Sequence, residues 1–266
     1  MTATVASMPA IYVPHGGGPA FFISGGMKEM FRPMENFLAG VHSQLPSKPT
    51  AILVVTAHWE ANIVSFTSAE NPELIYDYAG FPQETYTLTY PAPGSAALAN
   101  KAAGLLQQAG IAAAVNAQHG WDHGVFIPLK VMFSQADIPV VAMSLKTGLN
   151  PREHVAMGAA LRSLRQEGVL IVGSGMSYHN LRTLGGDAQA SQEFDAWLDS
   201  ALAGDSAHRS AQLARWSSAP SGRAAHPREE HLLPLMVVSG AGSDAAAIKL
   251  WSGLVGETRT SAWAFN

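Results

Sequence analysis

An α/β fold, with a mostly parallel sheet covered by helices on both faces, is the architecture that the sequence predicts. Three observations carry it. Short apolar, β-branched runs alternate with helix-like stretches. Hydrophobic residues make up 47% of the 266 and charged residues only 14%, which suits a large buried core. No repeat, linker or break in composition divides the chain, so residues 1–266 read as a single domain.

The expected strands are residues 10–13, 51–57, 63–67, 138–145, 169–172 and 246–251, with a last one near 261–265. Each is a run of four to eight residues rich in Val, Ile, Ala or an aromatic. The stretch 95–109 is rich in alanine and leucine and closes on Gly110, so it reads as a helix. Residues 151–166 form the next, with Asn150 as the N-cap and Pro151 at the first helical position. Residues 191–203 carry Phe194, Trp197, Leu198 and Ala201 at helical spacing, and a shorter helix is expected through Trp216. Residues 231–239 read as a buried helix ended by the Gly240-Ala241-Gly242 turn. The most polar stretch, 204–230, is most loop-like at 217–223 and is expected to lead back into a site.

Composition narrows the chemistry. A net charge of -4 gives no electrostatic reason to expect nucleic acid as a partner. The absence of cysteine excludes disulfides, thiolate metal sites and a cysteine nucleophile. Any metal must therefore sit on histidine, carboxylate or water. The first Lys or Arg is Lys28, so the charged start of a signal peptide is missing. No apolar run reaches the roughly 20 residues that span a bilayer. A cytoplasmic protein without membrane contact is expected.

The ten histidines are not scattered. His15 ends the first apolar run, His58 ends the second, and His179 lies just past the fifth. Ligands of open α/β sheets bind at the carboxyl ends of strands. One such histidine alone reads as an ordinary hydrogen-bonded residue; three at the same topological position read as a shared site. "HGWDHG" places His119 and His123 four apart, but its glycines argue for a loop. "HPREEH" brings His226, Glu229, Glu230 and His231 to an expected helix start, where the two glutamates suit the helix dipole. His42, His154 and His208 receive no role.

Two motifs imitate a serine hydrolase. "HGGG" is like an oxyanion-hole loop, and Gly175-Met176-Ser177-Tyr178-His179 is nearly G-x-S-x-G. The last position fails, because a nucleophile elbow needs a small residue where His179 stands.

The segments "VPHGGGPAFF", "VVTAHWE", "HGWDHGVFIPLKVMF", "GSGMSYHNL" and "HPREEHLLPLMVVSGAG" together resemble the class III extradiol ring-cleavage dioxygenases. They are most similar to the DOPA 4,5-dioxygenase branch, related to the protocatechuate 4,5-dioxygenase catalytic subunit. The resemblance runs from about residue 10 to the C-terminus. It implies a three-layer α/β/α fold with a mixed sheet, and one divalent metal per chain, Fe(II) for activity or Zn(II) as isolated. It also implies a small-molecule catechol substrate and O2 as partners. Imidazole and hard oxygen donors suit Fe(II).

By matching motifs, His15 and His58 are the expected histidine ligands and His231 the third. The wider family uses a glutamate near this helix start. Counting back nine residues from Gly240 reaches His231 instead of Glu230. An imidazole in place of the carboxylate would leave the site one charge more positive and favour Zn(II) occupancy. His179 resembles the acid–base histidine, able to reach the metal when no substrate is bound. His123 resembles the residue that hydrogen-bonds substrate or oxygen, with Asp122 orienting it. His119 is expected to be supporting or structural. Gly16 to Gly18 are expected to leave a ring-sized space for the catechol. Trp59, Tyr178, Trp121 and Arg228 are the candidates for substrate recognition. Two other functions use the same residues: a zinc hydrolase in which His179 or Glu230 activates water, and a binding module that keeps the fold. A complete set of His15, His58, His179 and His231 counts against the latter.

Overall fold

The apolar runs do form strands, and all of them join one sheet. The computed structural model describes residues 7–266. Its strands are β1 (Ala10–Pro14), β2 (Ala51–Ala61), β3 (Val64–Thr67), β4 (Ala113–Asn116), β5 (Val140–Lys146), β6 (Val169–Gly175), β7 (Ile248–Val255) and β8 (Thr258–Phe265), in the order β4-β3-β5-β2-β6-β1-β8-β7. The central strands β5, β2, β6 and β1 are parallel. They are buried on both faces nearly throughout, which explains why they read as continuous apolar runs. β3 meets β5 antiparallel, and β8 meets both β1 and β7 antiparallel, so the sheet is mixed.

The helices are α1 (Gly26–Gly40), α2 (Ala96–Gln108), α3 (His123–Met132), α4 (Pro151–Leu161), α5 (Ala188–Leu202), α6 (Ser206–Leu213), α7 (Gly222–Ala225) and α8 (Leu233–Ala241). Leu98 and Leu106 of α2, Met157 and Leu161 of α4, Leu198 of α5 and Val237 of α8 cover one face of the sheet. Phe31, Met34 and Leu38 of α1 and Phe126 and Leu129 of α3 cover the other. The three layers follow from these two cores. Among the described residues, no helix is long and apolar enough to cross a membrane.

Several boundaries differ from the sequence reading. The edge strand β4 has only four residues, half of them exposed, too few to show a pattern. α1 is interrupted by Pro33 and starts between glycines, which hides its buried stripe of Phe31, Met34, Phe37 and Leu38. The helix expected over 151–166 ends at Leu161 and tightens into a 3-10 turn over Arg162–Glu167. The capping expectation holds: Asn150 accepts from the Arg152 amide, and Ser95 caps α2 in the same way by accepting from the Leu98 amide. Within the polar stretch 204–230, α6 matches the shorter helix expected ahead of Trp216, whereas α7 begins inside the part read as most loop-like. α8 begins at Leu233, with Pro234 in its first turn, so His231 sits in the turn ahead of it.

That turn is fixed tightly. The His231 carbonyl accepts from the Tyr12 hydroxyl at 2.7 Å and from the Met176 amide at 3.2 Å. Gly175 permits this approach, because a Cβ there would lie 2.1 Å from the same oxygen.

Candidate active site

Five histidines converge at the carboxyl ends of the parallel strands. His15 follows β1 directly, and its amide donates to the Gly175 carbonyl at 3.1 Å. His58 lies inside β2, which runs four residues further than the sequence suggests. His231 precedes α8. His179 lies four residues past β6, where its amide donates to the Ala225 carbonyl at 2.9 Å. His123 opens α3, a correction to the loop expected for its motif.

The spacing of three of them would suit a metal ion. The Nε2 atoms of His15 and His58 are 3.3 Å apart, and those of His58 and His231 are 3.2 Å apart. A single ion bound at about 2.0–2.1 Å spaces its nitrogen ligands about 2.9–3.4 Å from one another. Each ring's other nitrogen faces an oxygen acceptor. His15 Nδ1–H donates to the Gly16 carbonyl at 3.0 Å, and His231 Nδ1–H to Glu230 Oε1 at 2.9 Å. His58 Nδ1 faces Asp77 Oδ2 at 3.4 Å. Protons held on Nδ1 leave the Nε2 lone pairs pointing inward, the tautomer that binds metal.

Electrostatics act the same way. Burial, reinforced by the neighbouring imidazoles, pushes His15 and His231 well below the usual histidine value and His58 down to about 3. These rings are neutral near pH 7, as ligands must be. Burial alone would raise the Glu230 carboxyl, but hydrogen bonds from His179 and His231 outweigh it and hold Glu230 well below the ordinary range. Asp77 is lowered too, because its bonds to His123 overcome the cost of burial.

His123 and His179 complete the cluster. His123 Nδ1–H donates to Asp77 Oδ1 at 2.8 Å, and its ring lies 4.0 Å from that of His58. His179 stacks on His231, with centroids 3.2 Å apart, and its Nδ1 is 3.5 Å from Glu230 Oε1. Two groups of three possible ligands thus lie within 4.8 Å, His15 with His58 and His123, and His179 with Glu230 and His231. The short His58–His231 contact joins them.

Some expectations are corrected here. Asp122 does not orient His123; its Oδ1 accepts from the Thr56 hydroxyl at 2.7 Å, while Asp77 takes the histidine. Burial pushes Asp122 up to about 6. Glu230 does not merely serve a helix start, since it binds two site histidines. Trp121 and Tyr178 are core residues: the indole N–H donates to Thr67 and the phenol donates to Asp187. Trp59 stacks on His119 at 3.8 Å, which makes His119 a support for the wall beside His58. Arg228 is occupied by Glu60 at 2.5 and 2.8 Å. Ser177 is buried, and its hydroxyl accepts from the Ser261 amide, so it is no nucleophile. The rings of His42, His154 and His208 each bond to a backbone carbonyl away from the cluster.

The glycines also have a different purpose. Gly16 and Gly18 have φ of +83° and +55°, and aromatic rings pack on them. A Cβ on Gly16 would meet Phe21 at 2.8 Å, and one on Gly18 would meet Phe81 and Tyr78 at 3.2–3.3 Å. The turn is small because its walls are close.

Comparison with known proteins decides the class. The family described as the catalytic LigB subunit of aromatic ring-opening dioxygenase matches residues 3–265. The chain belongs to this family. A 4,5-DOPA dioxygenase extradiol from Beta vulgaris is 37% identical over 247 residues, 88% of this chain and 91% of that protein. The enzyme of the same description from Escherichia coli K12 is 36% identical over 199 residues, 73% of each chain. A crystal structure of an uncharacterized Escherichia coli K12 protein superposes with a TM-score of 0.79 at 28% identity, covering 97% of this chain and 100% of that one. The resemblance to the DOPA-like branch of extradiol dioxygenases therefore holds. This aromatic ring-opening dioxygenase is an enzyme of a non-haem metal-dependent family, and the donor set of its histidine cluster fits such a metal.

Asp77 is the residue that sequence reasoning missed. It stands alone in "YDYAGFP", a segment without regular elements, so no spacing pointed to it.

Proposed function

We propose that this dioxygenase opens a catechol-type, DOPA-like ring by extradiol cleavage with O2, using one divalent metal held by His15, His58 and His231. Fe(II) is the active ion and Zn(II) an alternative occupant, and residues 1–266 work as one domain. The observation that carries this reading is the pair of 3.2–3.3 Å Nε2 contacts with every Nδ1 turned to an acceptor. When bound, Fe(II) supplies the Lewis acidity and redox capacity that bring a catechol and dioxygen to one centre.

The chain's own groups manage protons and charge. His179 Nδ1–H faces Glu230, which leaves Nε2 as the base that takes a catechol proton and returns it during ring opening. His123 is held by Asp77 with its Nε2 free to accept a hydrogen bond from the substrate hydroxyl. Asp77 and Glu230 together balance a divalent ion. The extra positive charge expected from a third imidazole is thus offset by Glu230 directly behind it.

The test is anaerobic loading with Fe(II), followed by oxygen-electrode assays across a panel of catechols. One O2 consumed per ring opened, with a yellow semialdehyde product, is expected. Turnover that consumes no oxygen would point to the hydrolase and overturn the proposal.

A further inference from the structure

We propose that Asp77 is a positioning residue that locks His58 and His123 into one unit by fixing which nitrogen of each ring carries the proton. This rests on the assignment of His58 as a metal ligand. A carboxylate offers two oxygens, and here each faces a different ring: Oδ1 accepts from His123 Nδ1 at 2.8 Å, and Oδ2 faces His58 Nδ1 at 3.4 Å. Oδ1 also accepts from the His123 amide at 2.9 Å, so the carboxylate binds the start of α3 as well as its side chain.

The three residues come from three separate segments, and Asp77 comes from the least regular. Residues 68–95 connect β3 to α2 with only a 3-10 turn over Gln83–Thr87. This segment is registered against the site by a reciprocal pair of backbone bonds. The Ile75 amide donates to the Trp121 carbonyl, and the Trp121 amide to the Glu73 carbonyl, both at 2.8 Å. Asp77 follows two residues after that clamp, which sets its carboxylate between the two rings.

The consequence is specific to a carboxylate. An asparagine has one acceptor oxygen and one NH2 group, so it satisfies only one of the two ring N–H groups. The other ring must lose its partner or move its proton to Nε2. For His58, a proton on Nε2 occupies the lone pair that faces His15 and His231. For His123, it turns the substrate-facing acceptor into a donor.

Asp77→Asn is the test, since it preserves shape. Co(II) affinity of the apo protein, measured anaerobically by chelator competition, is expected to fall about 10–100-fold. Histidine ¹⁵N spectra of apo protein should show both rings as Nδ1–H in the parent and at least one as Nε2–H in the variant. At saturating Fe(II), kcat should fall at least about 10-fold while KM for the catechol stays within about threefold. Adding His123→Gln should deepen the loss of kcat by less than the product of the two single effects, because part of the action of Asp77 runs through His123. Unchanged tautomers together with Co(II) affinity within twofold of the parent would overturn the proposal. So would an affinity loss with parent-like tautomers, which would make Asp77 a remote charge only. Oxygen uptake by the parent tests the proposed function alone, whereas the variant-to-parent ratio in Co(II) affinity tests Asp77 alone.

Discussion

Two carboxylates each serve two histidines, and they do so in opposite senses. Asp77 makes its close bond, 2.8 Å, to His123, proposed to face the substrate, and its loose one, 3.4 Å, to His58, proposed as a ligand. Glu230 makes its close bond, 2.9 Å, to His231, proposed as a ligand, and stands 3.5 Å from His179, proposed as the acid–base group. The stiff member is therefore the proposed hydrogen-bonding residue on one side and the proposed ligand on the other. A histidine that only orients a hydroxyl gains from a fixed ring. One that must accept and return a proton gains from a looser tether. The difference matches the separate duties proposed for His123 and His179.

The comparison can be broken most severely at the ligands. His15→Ala should reduce bound metal and turnover to background, since the two remaining nitrogens make a weak site; metal analysis of purified protein checks this, and full occupancy would remove His15 from the set. His179→Gln should keep metal but lower kcat about 10²–10⁴-fold, the usual cost of a lost acid–base group. If its rate matched the parent, the looser tether would have no catalytic meaning. Glu230→Gln should weaken metal binding about 10-fold, because His231 would lose a charged acceptor at 2.9 Å. Chelator competition reads this, and unchanged affinity would return Glu230 to the helix start.

The smallest effect is expected at Asp122, which serves neither pair. Its buried carboxyl is raised from 3.8 to about 6. The fold therefore holds its proton more tightly than the unfolded chain does. That contribution to stability is complete below about pH 4 and is lost as pH rises through about 6. The gap corresponds to on the order of 3 kcal/mol. Asp122→Asn should flatten the pH dependence of apo-protein unfolding in urea between pH 4 and 6. Parent and variant curves with the same slope would show that the carboxyl is ionised throughout.

The legibility of the site followed the same division. His15, His58 and His179 were visible because strand ends are marked by apolar runs, and position along a strand survives into space. His231 was reached through similarity to a known family, by counting from the Gly240 turn. Glu230 was in view as a helix-start carboxylate, as the rival to His231 and as a water-activating group in the hydrolase reading, but its bonds to His231 and His179 were not. Asp77 was invisible, because its partners lie 19 and 46 residues away and its segment has no period to read. The fold shows the same contrast. The central parallel strands were all found, their starts within two residues and their ends up to four residues short, whereas β4, too short, and α1, broken in composition by Pro33, were missed.

The glycine turn after β1 has an uneven tolerance to change. Gly16 and Gly18 combine left-handed backbone with aromatic neighbours, so any side chain there meets two penalties at once. Gly17 has neither a positive φ nor backbone against it, and an added methyl would press only on the edge of Phe31 at 3.3 Å. Drift through this turn is thus channelled to its middle residue. A substitution in this turn meets its lowest cost there, one position removed from both closed doors.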